Sequence, residues 1–93
     1  MAKIIWSELA LEDLKNIHDY ISNDSIIYAN RVIEKIILRI EQLESLTKSG
    51  RVVPEINNIS IRELIQNNYR IIYKITSQKI FILSIHHSAK IIK

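Results

Sequence analysis

Three side chains in the second half of the sequence could together perform acid–base chemistry: Glu55, Arg70 and His87. A carboxylate can act as a base, an arginine can stabilise an anionic transition state, and a histidine can act as an acid near neutral pH. These are the roles needed to cleave a phosphodiester bond with a ribose 2′-hydroxyl as the nucleophile. The residue types therefore permit an endoribonuclease site.

Such a site requires strands that bring the three groups together. Residues 69–76 and 79–87 are rich in β-branched and aromatic residues, and Ser77-Gln78 is a candidate turn between them. In that register Arg70 lies opposite Ile85, and His87 is its diagonal neighbour on the same face, about 7–8 Å away. Because successive side chains on a strand point to opposite faces, His86 lies on the other face. We therefore expect Arg70 and His87 to converge, with Glu55 arriving from the preceding loop.

A structural role for the same arginine is the alternative, and the residues alone favour it. If Asn67-Asn68 is the turn between residues 59–66 and 69–76, Glu63 shares the face of Arg70 and can pair with it. Tyr69 and Tyr73 share the other face of their strand, where we expect them to pack against the core rather than to stack on bases.

Composition excludes several classes of chemistry. The chain has 93 residues, which we interpret as a single domain spanning 1–93, with no cysteine, one glycine and three histidines. A glycine-rich phosphate loop and a cysteine nucleophile are therefore excluded. His86 and His87 are adjacent, and on a strand they point to opposite faces. We expect neither a metal nor a cofactor.

The basic residues are concentrated in the C-terminal half. Residues 1–50 contain 6 Lys/Arg and 8 Asp/Glu, a net charge of −2, whereas residues 51–93 contain 7 and 2, a net charge of +5. This asymmetry favours an acidic partner, either nucleic acid or an acidic protein segment, although basic residues also simply keep a sheet face soluble. The candidate contacts for a target or partner are Arg51, Arg62, Lys74, Lys79, Lys90 and Lys93.

Periodicity predicts the elements that position these groups. A strand at residues 3–6 is followed by Ser7, a favourable N-cap, and by a helix from Glu8 with apolar residues at 10, 14, 17 and 21. A second amphipathic helix follows residues 22–25, so the two form a hairpin. Residues 47–58 are an irregular loop, and three strands follow it. We predict an α+β fold of order β-α-α-β-β-β, with the hairpin on one face of a mainly antiparallel four-stranded sheet.

Several motifs together resemble the RelE/ParE family of bacterial toxins. They cover most of the chain: IIW at residues 4–6, EDL at 12–14, GRVVPE at 50–55, IRELI at 61–65, YRIIY at 69–73 and HSAK at 87–90. The resemblance implies the toxin of a type II toxin–antitoxin pair, which arrests growth and is neutralised by a small antitoxin whose C-terminal segment wraps around it. It also implies the toxin fold of that family.

The resemblance leaves two activities to separate. RelE-like members cleave mRNA on the ribosome; in them the arginine matching Arg70 supports the transition state, a glutamate like Glu55 can be the base and a histidine near His87 the acid. Other RNase members use a lysine cluster and a C-terminal tyrosine. ParE-like members poison DNA gyrase.

Two departures favour the ParE-like branch. The strand at residues 59–63 contains no lysine, and no tyrosine follows His87. The long hairpin and the HSAK motif are similar to ParE-like toxins. We therefore predict a ParE-like inhibitor of DNA gyrase, with no bond-making chemistry of its own. The alternatives are a ribosome-dependent mRNA endonuclease and an inactive binding module.

We expect the antitoxin to occupy a groove beside the hairpin and the sheet. The apolar runs are short, and the N-terminus has no signal-peptide pattern, so we expect a cytoplasmic protein.

Overall fold

The elements follow the predicted order with one addition. The computed structural model describes residues 1–88, and all structural statements below refer to them. The helices are α1 (Glu8–Ser22) and α2 (Ile26–Glu41), with a 3₁₀ turn at Gln42–Glu44, and the strands are β1 (Lys3–Trp6), β2 (Arg51–Val52), β3 (Ile61–Gln66), β4 (Tyr69–Thr76) and β5 (Lys79–His87).

Serine residues are the N-caps of both helices. The Ser7 hydroxyl accepts a hydrogen bond from the Ala10 amide at 3.0 Å, and that of Ser25 accepts one from the Tyr28 amide at 3.1 Å. These bonds satisfy amide groups that have no partner within the helix. The predicted helix starts are confirmed.

The strands form one sheet of order β1-β5-β4-β3-β2, in which β1 is parallel to β5 and the other pairs are antiparallel. The predicted α+β architecture is confirmed. The sheet has five strands rather than four, because Arg51 and Val52 of the predicted loop pair with Glu63 and Arg62 at its edge. Two residues are too few to show a period-two pattern in the sequence.

Both helices pack on one face of the sheet. Their buried residues meet the apolar side chains of β3, β4 and β5, and this core comprises Ala10, Val32, Ile36, Ile40, Leu43, Leu64, Ile71, Tyr73, Ile80, Ile82 and Ile85. Tyr69 is half-buried against the same cluster, so the predicted packing role of both tyrosines is confirmed. We call the opposite side of the sheet the helix-free face. Within residues 1–88, no helix is long and apolar enough to cross a membrane.

The turns use left-handed backbone. Asn67, in the β3–β4 turn, has φ 56°, a conformation that asparagine tolerates well. Gln78, in the β4–β5 turn, has φ 61°, and its carbonyl accepts a hydrogen bond from the Lys3 amide at 2.9 Å. The first strand therefore helps to hold the β4–β5 turn.

A β-bulge changes the register between β4 and β5. Ile72 pairs with Ser84, but Tyr73 pairs with Ile82, so Leu83 is an extra residue in β5. Beyond the bulge, Arg70 lies opposite His86 rather than Ile85. The predicted pairing of Arg70 was wrong by one residue, because it was counted from the turn without an inserted residue.

Helix α1 protects the part of β5 that β1 does not cover. The Asp13 carboxylate accepts a hydrogen bond from the Ile85 amide at 2.9 Å, and the Ser7 hydroxyl donates to the Leu83 carbonyl at 3.0 Å. An unpaired strand edge is a site for unwanted strand pairing, so these side chains substitute for the missing end of β1.

We expect Asp13→Ala to lower the free energy of unfolding by about 1–2 kcal/mol, since the Ile85 amide loses its acceptor. Urea denaturation measures the change. Asp13→Asn retains a side-chain oxygen and should recover most of the loss, and Glu12→Ala, an exposed neighbour on α1, is the matched control. Equal stability of the Asp13→Ala and Glu12→Ala variants would contradict this role.

Candidate functional site

A cluster of two arginines and two glutamates lies on the helix-free face; we call it the arginine–glutamate cluster (Arg51, Glu55, Glu63 and Arg70). The Nε of Arg70 donates to Glu63 at 2.6 Å, and its Nη1 and Nη2 donate to the two oxygens of Glu55 at 2.7 and 2.9 Å. The Nε of Arg51 donates to the second oxygen of Glu63 at 2.6 Å. Glu63 thus bridges two guanidinium groups, and Arg70 bridges two carboxylates.

Strand register places three members of the cluster. Arg51 lies directly opposite Glu63, and Arg70 is the diagonal neighbour of Glu63 because Glu63 faces Ile72. Burial differs sharply within the cluster: the side chain of Glu63 is 0% exposed and that of Arg70 is 7% exposed, against 26% for Glu55 and 65% for Arg51. The centre of the cluster is therefore dry and its two ends reach solvent.

Glu55 arrives from the loop after β2. The Val53 amide donates to the Ile61 carbonyl at 3.2 Å, and the amides of Ile56 and Asn57 donate back to the Val53 carbonyl at 3.2 and 2.8 Å. Asn57 closes this turn with φ 53°. The turn projects Glu55 over the sheet, where it meets Arg70.

The cluster holds Arg70 in its charged form. Hydrogen bonding to Glu55 is the largest influence and raises the pKa of the guanidinium; burial opposes this, and Glu63 adds to the rise. An arginine is protonated at any physiological pH in any case. The consequence is structural: the fork of Arg70 is directed at carboxylates of its own chain.

The structure brings together some of the predicted site residues. The contact of Glu55 with Arg70 is confirmed, and so is the alternative pairing of Arg70 with Glu63. A catalytic use of Glu55 and Arg70 stays a prediction.

The predicted convergence of His87 with Arg70 was wrong. His87 pairs with Tyr69 across β4 and β5, and the two rings form an edge-to-face contact with centroids 5.8 Å apart on the helix-covered side. The bulge at Leu83 moves His86 to a position opposite Arg70 instead. A bulge leaves no clear signal in a sequence of β-branched residues, so register counting could not detect it.

A second set of contacts, which the sequence reasoning missed, holds residues 47–50. The buried phenol of Tyr73 donates to the Thr47 carbonyl at 2.9 Å and accepts from the Gly50 amide at 3.0 Å. Gly50 must lack a side chain here, because a Cβ would lie 2.5 Å from the Glu63 carbonyl oxygen and 2.6 Å from the Tyr73 hydroxyl. The single glycine in a loop was the available signal.

The basic residues predicted to contact a target or partner lie in different environments. Arg51 belongs to the arginine–glutamate cluster, and Arg62 donates to the carbonyls of Gly50 at 3.0 Å and Ile59 at 3.2 Å, so both support the fold. Lys74 and Lys79 are exposed on the helix-free face. Lys90 and Lys93 lie outside the described residues.

Comparison with solved structures identifies relatives of the fold. The fold is shared with "Chromosomal ParDE TA system from P. aeruginosa", at a TM-score of 0.77 and 21% identity over 94% of this chain and 96% of that one. It is also shared with the RelBE2 toxin–antitoxin complex from Mycobacterium tuberculosis, at a TM-score of 0.59 and 15% identity over 92% and 96%. These likenesses show the fold of type II toxin–antitoxin toxins.

A match to a family model then identifies the family. The model described as "ParE toxin of type II toxin-antitoxin system, parDE" matches residues 4–92, and the chain belongs to this family of toxins. Among curated proteins, none matches the chain. The predicted membership of the RelE/ParE superfamily is confirmed.

Proposed function

We propose that this toxin arrests growth by inhibiting DNA gyrase through protein–protein contact, and that it acts in the cytoplasm. The membership of residues 4–92 in the ParE toxin family carries this proposal. It assigns no bond-making step to the chain.

The arginine–glutamate cluster supports a non-enzymatic toxin. A phosphate clamp must present guanidinium N–H groups to the substrate. Here Nη1 and Nη2 of Arg70 donate to Glu55 and its Nε donates to Glu63, and the side chain is only 7% exposed, so its fork is directed at carboxylates rather than at solvent. The candidate acid His87 lies on the other face of the sheet.

We propose further that a cognate antitoxin neutralises the toxin by binding beside the hairpin and the sheet. The end of the hairpin carries the exposed side chains of Tyr20, Ile27 and Tyr28. These tyrosines lie close to Tyr69, whose pKa is raised first by burial and then by the phenols of Tyr20 and Tyr28. The resulting patch offers apolar and aromatic surface for an amphipathic segment.

A ribosome-dependent mRNA endonuclease is the second candidate, and it is favoured by the proximity of the candidate base Glu55 to the candidate phosphate ligand Arg70. It requires the ion pair between these two residues to open when the substrate binds. An inactive binding module is the third.

We expect the purified toxin to block supercoiling by gyrase and to increase the amount of gyrase-cleaved DNA, while transcripts translated in its presence stay intact. Both reactions are scored side by side by gel electrophoresis. Glu55→Gln removes the possible base from a side chain that reaches solvent, and its gyrase inhibition should equal that of the wild type.

Each result distinguishes the candidates. Cleavage of transcripts by the wild type but not by Glu55→Gln would overturn gyrase inhibition in favour of the endonuclease. Unaffected gyrase and transcripts, with normal growth during expression without antitoxin, would indicate the binding module.

A further inference from the structure

The half of the helix-free face nearer the β4–β5 turn carries three lysines around one phenylalanine, and Lys74 is the diagonal neighbour of Glu63 on the side away from Arg70. Pairing places Lys74 opposite Phe81 on the next strand, and Lys79 opposite Lys3. Adjacent strands are about 4.8 Å apart and same-face neighbours on a strand about 7 Å apart, so the four residues occupy one compact area. We call it the lysine surface (Lys3, Lys74, Lys79 and Phe81).

The positive charge of this surface is not neutralised by the rest of the described chain. All three lysines are exposed, and within residues 1–88 their ammonium groups form neither hydrogen bonds nor ion pairs. Glu63 is the only acidic residue in the five strands, and two arginines already hold it. Glu44 lines a groove together with Lys79 but makes no ion pair with it. The surface therefore presents three charges without an internal counter-charge.

Phe81 distinguishes this surface from a set of lysines that only maintains solubility. It is half-buried between Lys74 on β4 and Ile5 on β1, which are its direct neighbours across the sheet, so its ring belongs to a small apolar strip between the lysines. A sheet surface that combines lysines with an aromatic ring suits single-stranded nucleic acid, because the cations contact phosphates and the ring stacks on a base. An acidic polypeptide would satisfy the lysines without any need for the ring.

We propose that the lysine surface is a contact site for the backbone and an unpaired base of single-stranded nucleic acid. This goes beyond gyrase inhibition by protein contact, which requires no nucleic acid on the toxin. The buried Arg70 takes no part, since its guanidinium group is bound to two carboxylates of its own chain.

Fluorescence anisotropy of a labelled oligothymidine of roughly a dozen nucleotides tests the proposal, since single-strand sites of this kind span about 4–16 nucleotides. The probe is titrated with the full chain at several salt concentrations. The test variant carries Lys3→Ser, Lys74→Ser and Lys79→Ser. The matched control carries Lys15→Ser, Lys35→Ser and Lys48→Ser, which removes the same charge from exposed positions elsewhere.

We expect the test variant to lose most of the affinity and about 2 units of the slope of log K against log salt, at about 0.7 for each of three phosphate contacts. The control should retain the wild-type slope. Phe81→Leu preserves the charge and should weaken binding at least about fivefold, the lower limit for one stacked base. Thermal unfolding of each variant verifies that it is folded.

Three outcomes would overturn the proposal. The first is an equal loss for the test and control variants, which would mean that only net charge matters. The second is an absence of binding by the wild type at low salt. The third is polyglutamate competing as well as unlabelled oligothymidine while Phe81→Leu has no effect, which would indicate an acidic protein partner. Gyrase is absent from the assay, so its result is independent of the gyrase proposal.

Discussion

Replacing Glu63 by glutamine is expected to lower the free energy of unfolding by about 3 kcal/mol, the largest effect of any single charge removal considered for this chain. The Glu63 side chain is completely buried and accepts hydrogen bonds from both Arg51 and Arg70. Glutamine keeps the shape and one acceptor oxygen but leaves the buried Arg70 with Glu55 as its only anionic partner within the arginine–glutamate cluster. Denaturation in urea, analysed for an unchanged m-value, measures the loss.

Two further variants separate charge pairing from volume. Glu12→Gln removes an exposed carboxylate from α1 and should change stability by less than about 0.5 kcal/mol. Combining Glu63→Leu with Arg70→Met removes both buried charges and should recover a large part of the stability, because well-packed apolar residues can replace a buried ion pair. If Glu63→Gln proved no more destabilising than Glu12→Gln, the cluster would have no stabilising role.

Tyr73→Phe should have the second largest effect, a loss of about 2–3 kcal/mol in the free energy of unfolding, because a buried and a part-buried backbone group lose their partner at once. The Tyr73 hydroxyl connects the Thr47 carbonyl and the Gly50 amide, and its residue is 0% exposed. Hydrogen exchange of the Gly50 amide should accelerate along with the loss of stability. Tyr20→Phe, at a 75% exposed residue, is the matched control and should be neutral.

Tyr73→Phe should also change how the free energy of unfolding depends on pH above neutrality. Burial raises the pKa of Tyr73 above its ordinary value, so the folded chain keeps the phenolic proton after the unfolded chain has lost it. The stabilisation that the protonated Tyr73 phenol provides is complete below its pKa in the unfolded chain, which is about 10. It is lost as the pH rises through the pKa of the same phenol in the folded chain. The free energy of unfolding should therefore fall more steeply above about pH 10 in the wild type than in Tyr73→Phe. Parallel curves would indicate that the phenol is not protected as the structure implies.

Local sequence patterns were sufficient to predict the helices and strands and the buried face of each helix. Ser7 and Ser25 cap helices whose apolar residues recur with helical period, and both signals depend only on nearby residues. The β3–β4 register also followed from sequence, because Asn67 accepts the left-handed conformation that the turn needs. The pairing of Glu63 with Arg70 could be predicted for that reason.

The contacts that span long stretches of chain could not be predicted in the same way. Asp13 bonds to Ile85, and Tyr73 bonds to residues 47 and 50, over separations at which local periodicity carries no information. Side-chain bonds to the backbone of a distant segment depend on how the layers pack. Sequence identified Asp13 only as part of a family motif, and Gly50 only as part of another family motif and as the single glycine of the chain.

The sequence by itself determined an α+β toxin fold of the ParE family, because capping, periodicity and family motifs reside in contiguous residues. The tertiary structure decided the charged contacts that local register does not fix, such as the pairing of Arg51 with Glu63. One extra residue, Leu83, exchanges the faces of His86 and His87, since strand side chains alternate with a period of two. Strand register and loop packing, rather than residue type, direct Arg70 to two carboxylates of its own chain. They leave the three lysines around Phe81 without such partners.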